Sequence, residues 1–243
     1  MYGIGELLFG RTAGPLDVAA VALTVLGSLL ICASLMLLAR RSDTGWWLAG
    51  AAFLLQGLAQ LMNFPGLLAA SPAGLAMFAA GVAVPLAVAV GSAAYGLLSF
   101  RKLPLESRRL RSFSLRPFSG VDLLAPAAVA LVYALGSMLV IASIFSGFSA
   151  PLSRIPWAAL LLTGFLMGLL PAALLGLAHR SRWAWLLVVA ASVASVYSTT
   201  MLAQGSVLIF LFVAQAALAF FGWQRWGTLP AGSPKAARAR RTG

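Results

Sequence analysis

Charged side chains along this chain are confined to short clusters, and between the clusters the sequence runs apolar for long stretches. The clearest stretch lies between Arg182 and Arg225, with no charged residue from Trp183 to Gln224. A helix needs roughly 20 apolar residues to cross about 30 Å of hydrocarbon, so this stretch is long enough for two. The turn between them falls at Ala203-Gln204-Gly205-Ser206, where glycine and small polar residues tolerate a reversal. The second helix closes on Phe220-Phe221-Gly222-Trp223-Gln224-Arg225-Trp226, an aromatic belt with a basic anchor.

The same reading, applied upstream, predicts five more helices: about Leu16 to Leu38, Trp46 to Met62, Ala73 to Phe100, Leu123 to Phe145 and Trp157 to Leu177. Pro65 and Pro72 bound an uncharged loop, because proline lacks the N–H that a continuous helix needs. Pro85 and Pro171 fall inside the third and fifth helices and predict kinks there. Residues 1–15 form a short segment with Glu6 and Arg11. The linker from Arg101 to Gly120 mixes arginine with Leu and Phe, which suits either a surface-lying segment held by anionic headgroups or a solvated loop. The tail from Gly227 to Gly243 has no apolar period and is expected to be disordered.

Composition sharpens the class. Charged residues are 9% of the chain against about 25% in ordinary soluble domains, hydrophobic residues are 61%, and the mean hydropathy is +0.97. A soluble globule cannot bury that much apolar surface, so the chain reads as a multi-pass membrane protein. Its net charge of +12 would point to nucleic acid in a soluble protein, but the basic residues occupy short loops between apolar runs, the pattern of topology determinants. The lone Cys32 excludes an intrachain disulfide and reads as a buried, space-filling thiol. The first apolar stretch is too long, and lacks the basic flank, for a cleaved secretory signal.

Orientation follows from the basic residues. With the N-terminus outside, only Arg11 and Arg154 of the 17 Lys and Arg residues lie on the outer side. The positive-inside rule then places the C-terminus inside. An error of one helix would scramble this alternation, so the charge bias also supports seven transmembrane helices.

Two junctions recur along the chain. Ala39-Arg40-Arg41-Ser42 followed by Trp46-Trp47 is echoed by Ala178-His179-Arg180-Ser181 followed by Trp183-Ala184-Trp185. Tyr95-Gly96 ahead of Phe100 is echoed by Phe221-Gly222 ahead of Trp226. These echoes predict an all-α integral membrane protein built as a 3+1+3 parallel repeat, with the fourth helix inverting the chain so that both triplets face the same way. The divisions are residues 1–100 for the first triplet, 101–147 for the basic linker and inverting helix, 148–226 for the second triplet, and 227–243 for the basic cytoplasmic tail.

At these residues the chain resembles the PnuC family of bacterial vitamin transporters, which take up nicotinamide riboside. Trp183 and Tyr197 stand at the spacing of the family's Trp-to-aromatic motif, Gly222-Trp223 and Trp226 fit its closing motif, and Trp47, Gly50 and Tyr95-Gly96 fit the first half. Leu186 and Ala190 stand where the family has Trp and Asn, Leu97 where it has Trp, and Gly45 where it has Asn. The resemblance implies a bacterial inner-membrane transporter without a cofactor, working by facilitated diffusion of a small vitamin-like or nucleoside-like solute and assembled as a trimer.

The polar residues of the helices fit that expectation. No Asp, Glu, Lys, Arg or His falls at mid-helix depth, so there is no group for ion coupling and no acid–base pair for an enzyme. Lys102 and Lys235 are the only lysines and neither lies within a helix, which excludes a retinal protein. What remains is Gln56, Gln60 and Asn63, Ser192, Ser195, Tyr197 and Thr199, and Gln215, with Trp47, Trp183 and Trp185 at helix starts. Carboxamides offer paired donors and acceptors, and indole or phenol rings offer stacking faces, a set suited to an uncharged or cationic heteroaromatic ring bearing hydroxyls. The expected substrate-binding residues are therefore Trp47, Gln56, Gln60, Trp183, Trp185, Tyr197 and Gln215. On the sixth helix a Trp183–Ala190–Tyr197 face competes with a Trp185–Ser192–Ser195–Thr199 face as the cavity lining. Helix-to-helix hydrogen bonding by the same glutamines, in a membrane subunit that transports nothing, is the competing reading.

Overall fold

The computed structural model describes residues 15–62, 72–102, 115, 120–147, 157–201 and 206–227. The N-terminal segment, the proline-bounded loop, most of the basic linker, the turn at 202–205 and the basic tail lie outside the described residues. Within them the chain is all-α. Seven helices follow in order: α1 Pro15–Ala39, α2 Thr44–Met62, α3 Pro72–Arg101, α4 Val121–Gly147, α5 Trp157–Ala178, α6 Ala184–Met201 and α7 Ser206–Gly227. Their limits follow the charge clusters, and Pro72 occupies the first position of α3, where its missing N–H costs nothing. α3 and α5 run on through Pro85 and Pro171, and α4 also contains a proline, Pro126.

Three stretches are long and apolar enough to cross a membrane, Val18–Ala39, Leu75–Arg101 and Val207–Gly227. Shorter apolar stretches are Leu124–Val140, Gly164–Ala178 and Ala184–Tyr197. Helices suit such a solvent because they satisfy their backbone groups internally.

Packing joins these helices into a ring. α1 packs on α2 and α7, α2 on α3, α3 on α5, α5 on α6, and α6 on α7. α4 stands apart from the ring and lies against α3 and α5. Small residues set that approach. A methyl group added to Gly136 of α4 would collide with Pro85 Cγ and reach the Gly81 carbonyl oxygen at 2.9 Å; one added to Gly164 of α5 would meet Ser137 Oγ at 2.6 Å and Ala134 Cα at 2.7 Å. Dispersion between close backbones drives helix association where no water is expelled.

The main apolar core draws on both triplets. It includes Leu35, Leu38, Trp46, Ala93 and Phe100 from the first and Ala173, Leu177, Trp185, Ala219 and Trp226 from the second.

Candidate functional site

The best-defined chemistry lies where α1, α3, α5 and α7 end. Two tight hairpins close there. In the first, the Arg41 N–H donates to the Leu38 carbonyl (2.9 Å) and the Ser42 N–H to the Leu37 carbonyl (2.9 Å). In the second, the Arg180 N–H donates to Leu177 (2.9 Å) and the Ser181 N–H to Gly176 (3.1 Å). Both are Schellman caps, with the residue after the helix in the left-handed region: φ is 62° at Arg41 and 63° at Arg180. Glycine is the usual occupant of that position, and a β-carbon there costs about 1–2 kcal/mol. These are the only non-glycine residues with positive φ among the described residues, and they occupy matching places in the two echoed junctions.

Each hairpin delivers one indole to one glycine. Trp46, at the start of α2, lies flat over Gly96 of α3, and Trp185, at the start of α6, over Gly222 of α7; a methyl group on Gly222 would lie 2.6 Å from the Trp185 ring. A second aromatic from the same helix completes each contact. Phe100 meets Trp46 at 6.0 Å between ring centroids, tilted by 57°, and Trp226 meets Trp185 at 5.5 Å, edge to face at 84°. The repeated aromatic-Gly dipeptide therefore has a packing cause: only glycine leaves room for the ring. The structure also sets the register of the echo, matching Trp46 with Trp185, since both are buried (1% and 0% exposed) while Trp47 and Trp183 are open (59% and 57%). The Nε1–H groups of Trp46 and Trp185 have no hydrogen-bond acceptor among the described residues.

This end of the bundle is strongly basic. Arg40, Arg41, Arg101, Lys102, Arg180, Arg182 and Arg225 gather there, together with His179 and Asp43. Arg101 lies 4.0 Å from Asp43 and 5.8 Å over the Trp47 ring. Arg182 stacks 4.2 Å over Trp223 while its Nε–H donates to the Trp223 carbonyl at 3.2 Å, tying the start of α6 to the end of α7. Tyr95 and His179 bring α3 and the α5 hairpin together, with ring centroids 5.4 Å apart. Burial, followed by the nearby Arg225 guanidinium, lowers the pKa of Arg41 from its ordinary value.

A belt of uncharged polar groups lies deeper. At about 1.5 Å per helical residue, Gln56, Ser192, Ser195 and Gln215 are roughly 10–17 Å from the Trp46–Trp185–Trp226 layer, a distance about half the roughly 30 Å thickness of a hydrocarbon core. Gln215 is buried in the α1/α7 contact; its Nε2–H donates to the Ser28 carbonyl at 3.4 Å, and it hydrogen-bonds the Cys32 side chain. Gln56 packs its stem on Gly27 of α1, 3.0 Å from where a methyl group would stand. Ser192 and Ser195 donate back to the carbonyls of Val188 (2.8 Å) and Ala191 (2.9 Å) of their own helix.

Of the expected substrate-binding residues, Gln56 and Gln215 thus converge on neighbouring turns of α1. Trp185 belongs to the basic-end core, and Trp47, Gln60, Trp183 and Tyr197 are exposed on the bundle. Of the two competing faces of α6, Trp185, Ser192 and Thr199 are buried, whereas Trp183, Ala190 and Tyr197 are exposed. Sequence reasoning did not single out Ser28, whose hydroxyl is fully buried without a partner among the described residues. The available signal was its place beside Gly27 within an uninterrupted apolar run. Comparison of the chain with protein-family models, with curated proteins and with solved structures gives no match in any of the three.

Proposed function

We propose that the chain is a seven-span inner-membrane facilitator, N-terminus out and C-terminus in, that lets a small vitamin-like or nucleoside-like solute equilibrate between two helix triplets. The single observation that carries this reading is the matching of contacts between the halves. If α1–α3 corresponds to α5–α7, then α1·α2 corresponds to α5·α6, α2·α3 to α6·α7, and α1·α7 to α5·α3, and all six pairs are in contact. Two like-facing triplets related in this way, with neutral polar groups near mid-depth, suit a path in which one triplet rocks against the other. The basic-end core of Trp46, Trp185, Phe100 and Trp226 would then be the closed inner side of that path.

Gln56, Gln215 and Ser28 supply amide and hydroxyl groups without charge, so the solute is a hydrogen-bonding neutral or cationic ring compound, nicotinamide riboside being the type favoured by the PnuC resemblance. Transport without a carboxylate, histidine or lysine at that depth is downhill, and accumulation depends on trapping inside the cell. The same resemblance favours a trimer, and the basic end favours anionic headgroups as its lipid partners. The other reading, a membrane subunit that carries nothing, is favoured by Gln215 and the α6 serines, whose bonds run to helices rather than into open space.

Uptake of radiolabelled nicotinamide riboside and thiamine into vesicles separates the two. The transporter reading expects flux down the gradient, insensitive to uncouplers and weakened by Gln56→Ala and Gln215→Ala. Absence of flux across a panel of vitamins and nucleosides establishes the subunit reading instead.

A further inference from the structure

The two triplets meet along two lines, and these are built differently. Along one, α3 meets α5 and α4 lies against both. Backbone atoms touch there: Gly136 faces the Gly81 carbonyl, Gly164 faces Ala134 Cα, and a methyl group on Gly168 would meet Ala130 Cα at 2.6 Å. Such atoms cannot swing aside, so parting these helices forfeits contact over their whole length.

Along the other line α1 meets α7, and besides the Gln215–Cys32 hydrogen bond the cross-helix polar contacts are long. The Gln215 amide reaches the Ser28 carbonyl at 3.4 Å and the Cys32 thiol reaches the Leu211 carbonyl at 3.8 Å, both at the outer edge of bonding range. The Ser28 hydroxyl, on the same stretch of α1, is buried without a partner among the described residues. Two observations of different kinds therefore mark this contact as the weaker one: long bonds and an unsatisfied hydroxyl.

We propose that α3, α4 and α5 form a fixed spine and that the bundle opens by the parting of α1 from α7. Parting gives the Ser28 hydroxyl and the Gln215 amide access to water or solute. It leaves the glycine contacts of the spine intact. The motion rests on the packing and not on the identity of any solute, so it can fail while transport stands, and the reverse.

Cys32 is the sole cysteine, which makes the full chain its own probe. In native membranes N-ethylmaleimide is expected to alkylate Cys32 on the order of tenfold faster than a cysteine placed in the spine by Ser137→Cys in a Cys32→Ser background. A second variant, Leu211→Cys, pairs a new thiol with Cys32 across the α1/α7 line. Mild oxidation is expected to join the two directly, and a long bifunctional thiosulfonate is expected to bridge them as well, because the gap widens. Equal or faster alkylation at position 137 overturns the proposal. So does a Leu211→Cys chain that forms no disulfide, or that forms it while refusing the long reagent. If Ser137→Cys does not accumulate in the membrane, the Leu211→Cys result decides alone.

Discussion

Gly91 and Gly96 lie five residues apart on α3, and the same substitution at each should have opposite effects. A methyl group at Gly91 meets nothing within 4 Å, whereas one at Gly96 lands in the Trp46 ring, 2.6 Å from Cδ2 and nearer still to the six-membered edge. The ring cannot retreat: Trp46 is 1% exposed, with Phe100 tilted against it at 6.0 Å. Replacing glycine by alanine in a helix gains about 1 kcal/mol at either site, so that term cancels in the comparison. What is left is the overpacking cost, about 1–3 kcal/mol. Gly91→Ala is therefore expected to be stabilising by about 1 kcal/mol, and Gly96→Ala less stable than Gly91→Ala by about 1–3 kcal/mol. Unfolding of the two purified variants in mixed micelles, titrated with a denaturing detergent, measures the gap directly. In the double variant Trp46→Phe with Gly96→Ala the smaller ring vacates the volume, so its loss should be less than the sum of the singles. Equal stability of Gly91→Ala and Gly96→Ala, within about 0.5 kcal/mol, would refute the description of the indole seat, and with it the packing cause given for the repeated dipeptide.

Further outcomes follow from the same geometry. Arg180→Gly relieves the left-handed β-carbon and should raise stability by a few tenths to about 1 kcal/mol after the glycine's own entropy is charged against it; detergent-titrated unfolding shows the sign. Arg182→Ala removes both the stacking on Trp223 and the bond to its carbonyl, a loss of about 1–2 kcal/mol, whereas Arg182→Lys keeps the charge but not the planar contact and recovers only part of it. Gln215→Ala should cost about 0.6–1.5 kcal/mol through the lost α1/α7 bond. On the transporter reading it should also abolish the thermal shift produced by the transported solute, a second readout that a packing role would not move.

The helices were legible because each is apolar nearly throughout and each meets a charge cluster, a proline or a glycine-bearing turn at its ends. The Arg40–Asp43 and His179–Trp183 clusters fall where α1 and α5 end, and Pro72 falls at the first turn of α3. Beyond that, the sequence carries less. Uniformly apolar helices have no polar side to show which face turns inward, so nothing distinguished the buried Trp46 from the open Trp47. Trp183 and Trp185 share an interfacial residue type, and only the seat on Gly222 separates the buried ring from the open one. The echoed Arg-Ser junctions were visible, but not the left-handed backbone of Arg41 and Arg180, because arginine does not advertise that conformation as glycine would. Gln56 and Gln215 were identifiable as rare carboxamides in apolar runs. Their convergence on α1 depends on a contact between helices far apart in the chain.

That contact, of α1 with α7, bears on biogenesis. Each hairpin, α1–α2 and α5–α6, is complete in itself, with its turn capped and its basic residues together, so on the proposed seven-span reading each would enter the bilayer as a unit soon after it is made. The ring, however, is closed by the first and last of its helices. On that reading, until α7 has been synthesised the side of α1 that carries Ser28 and Cys32 would face acyl chains, and the half-made protein would present an unfinished seam.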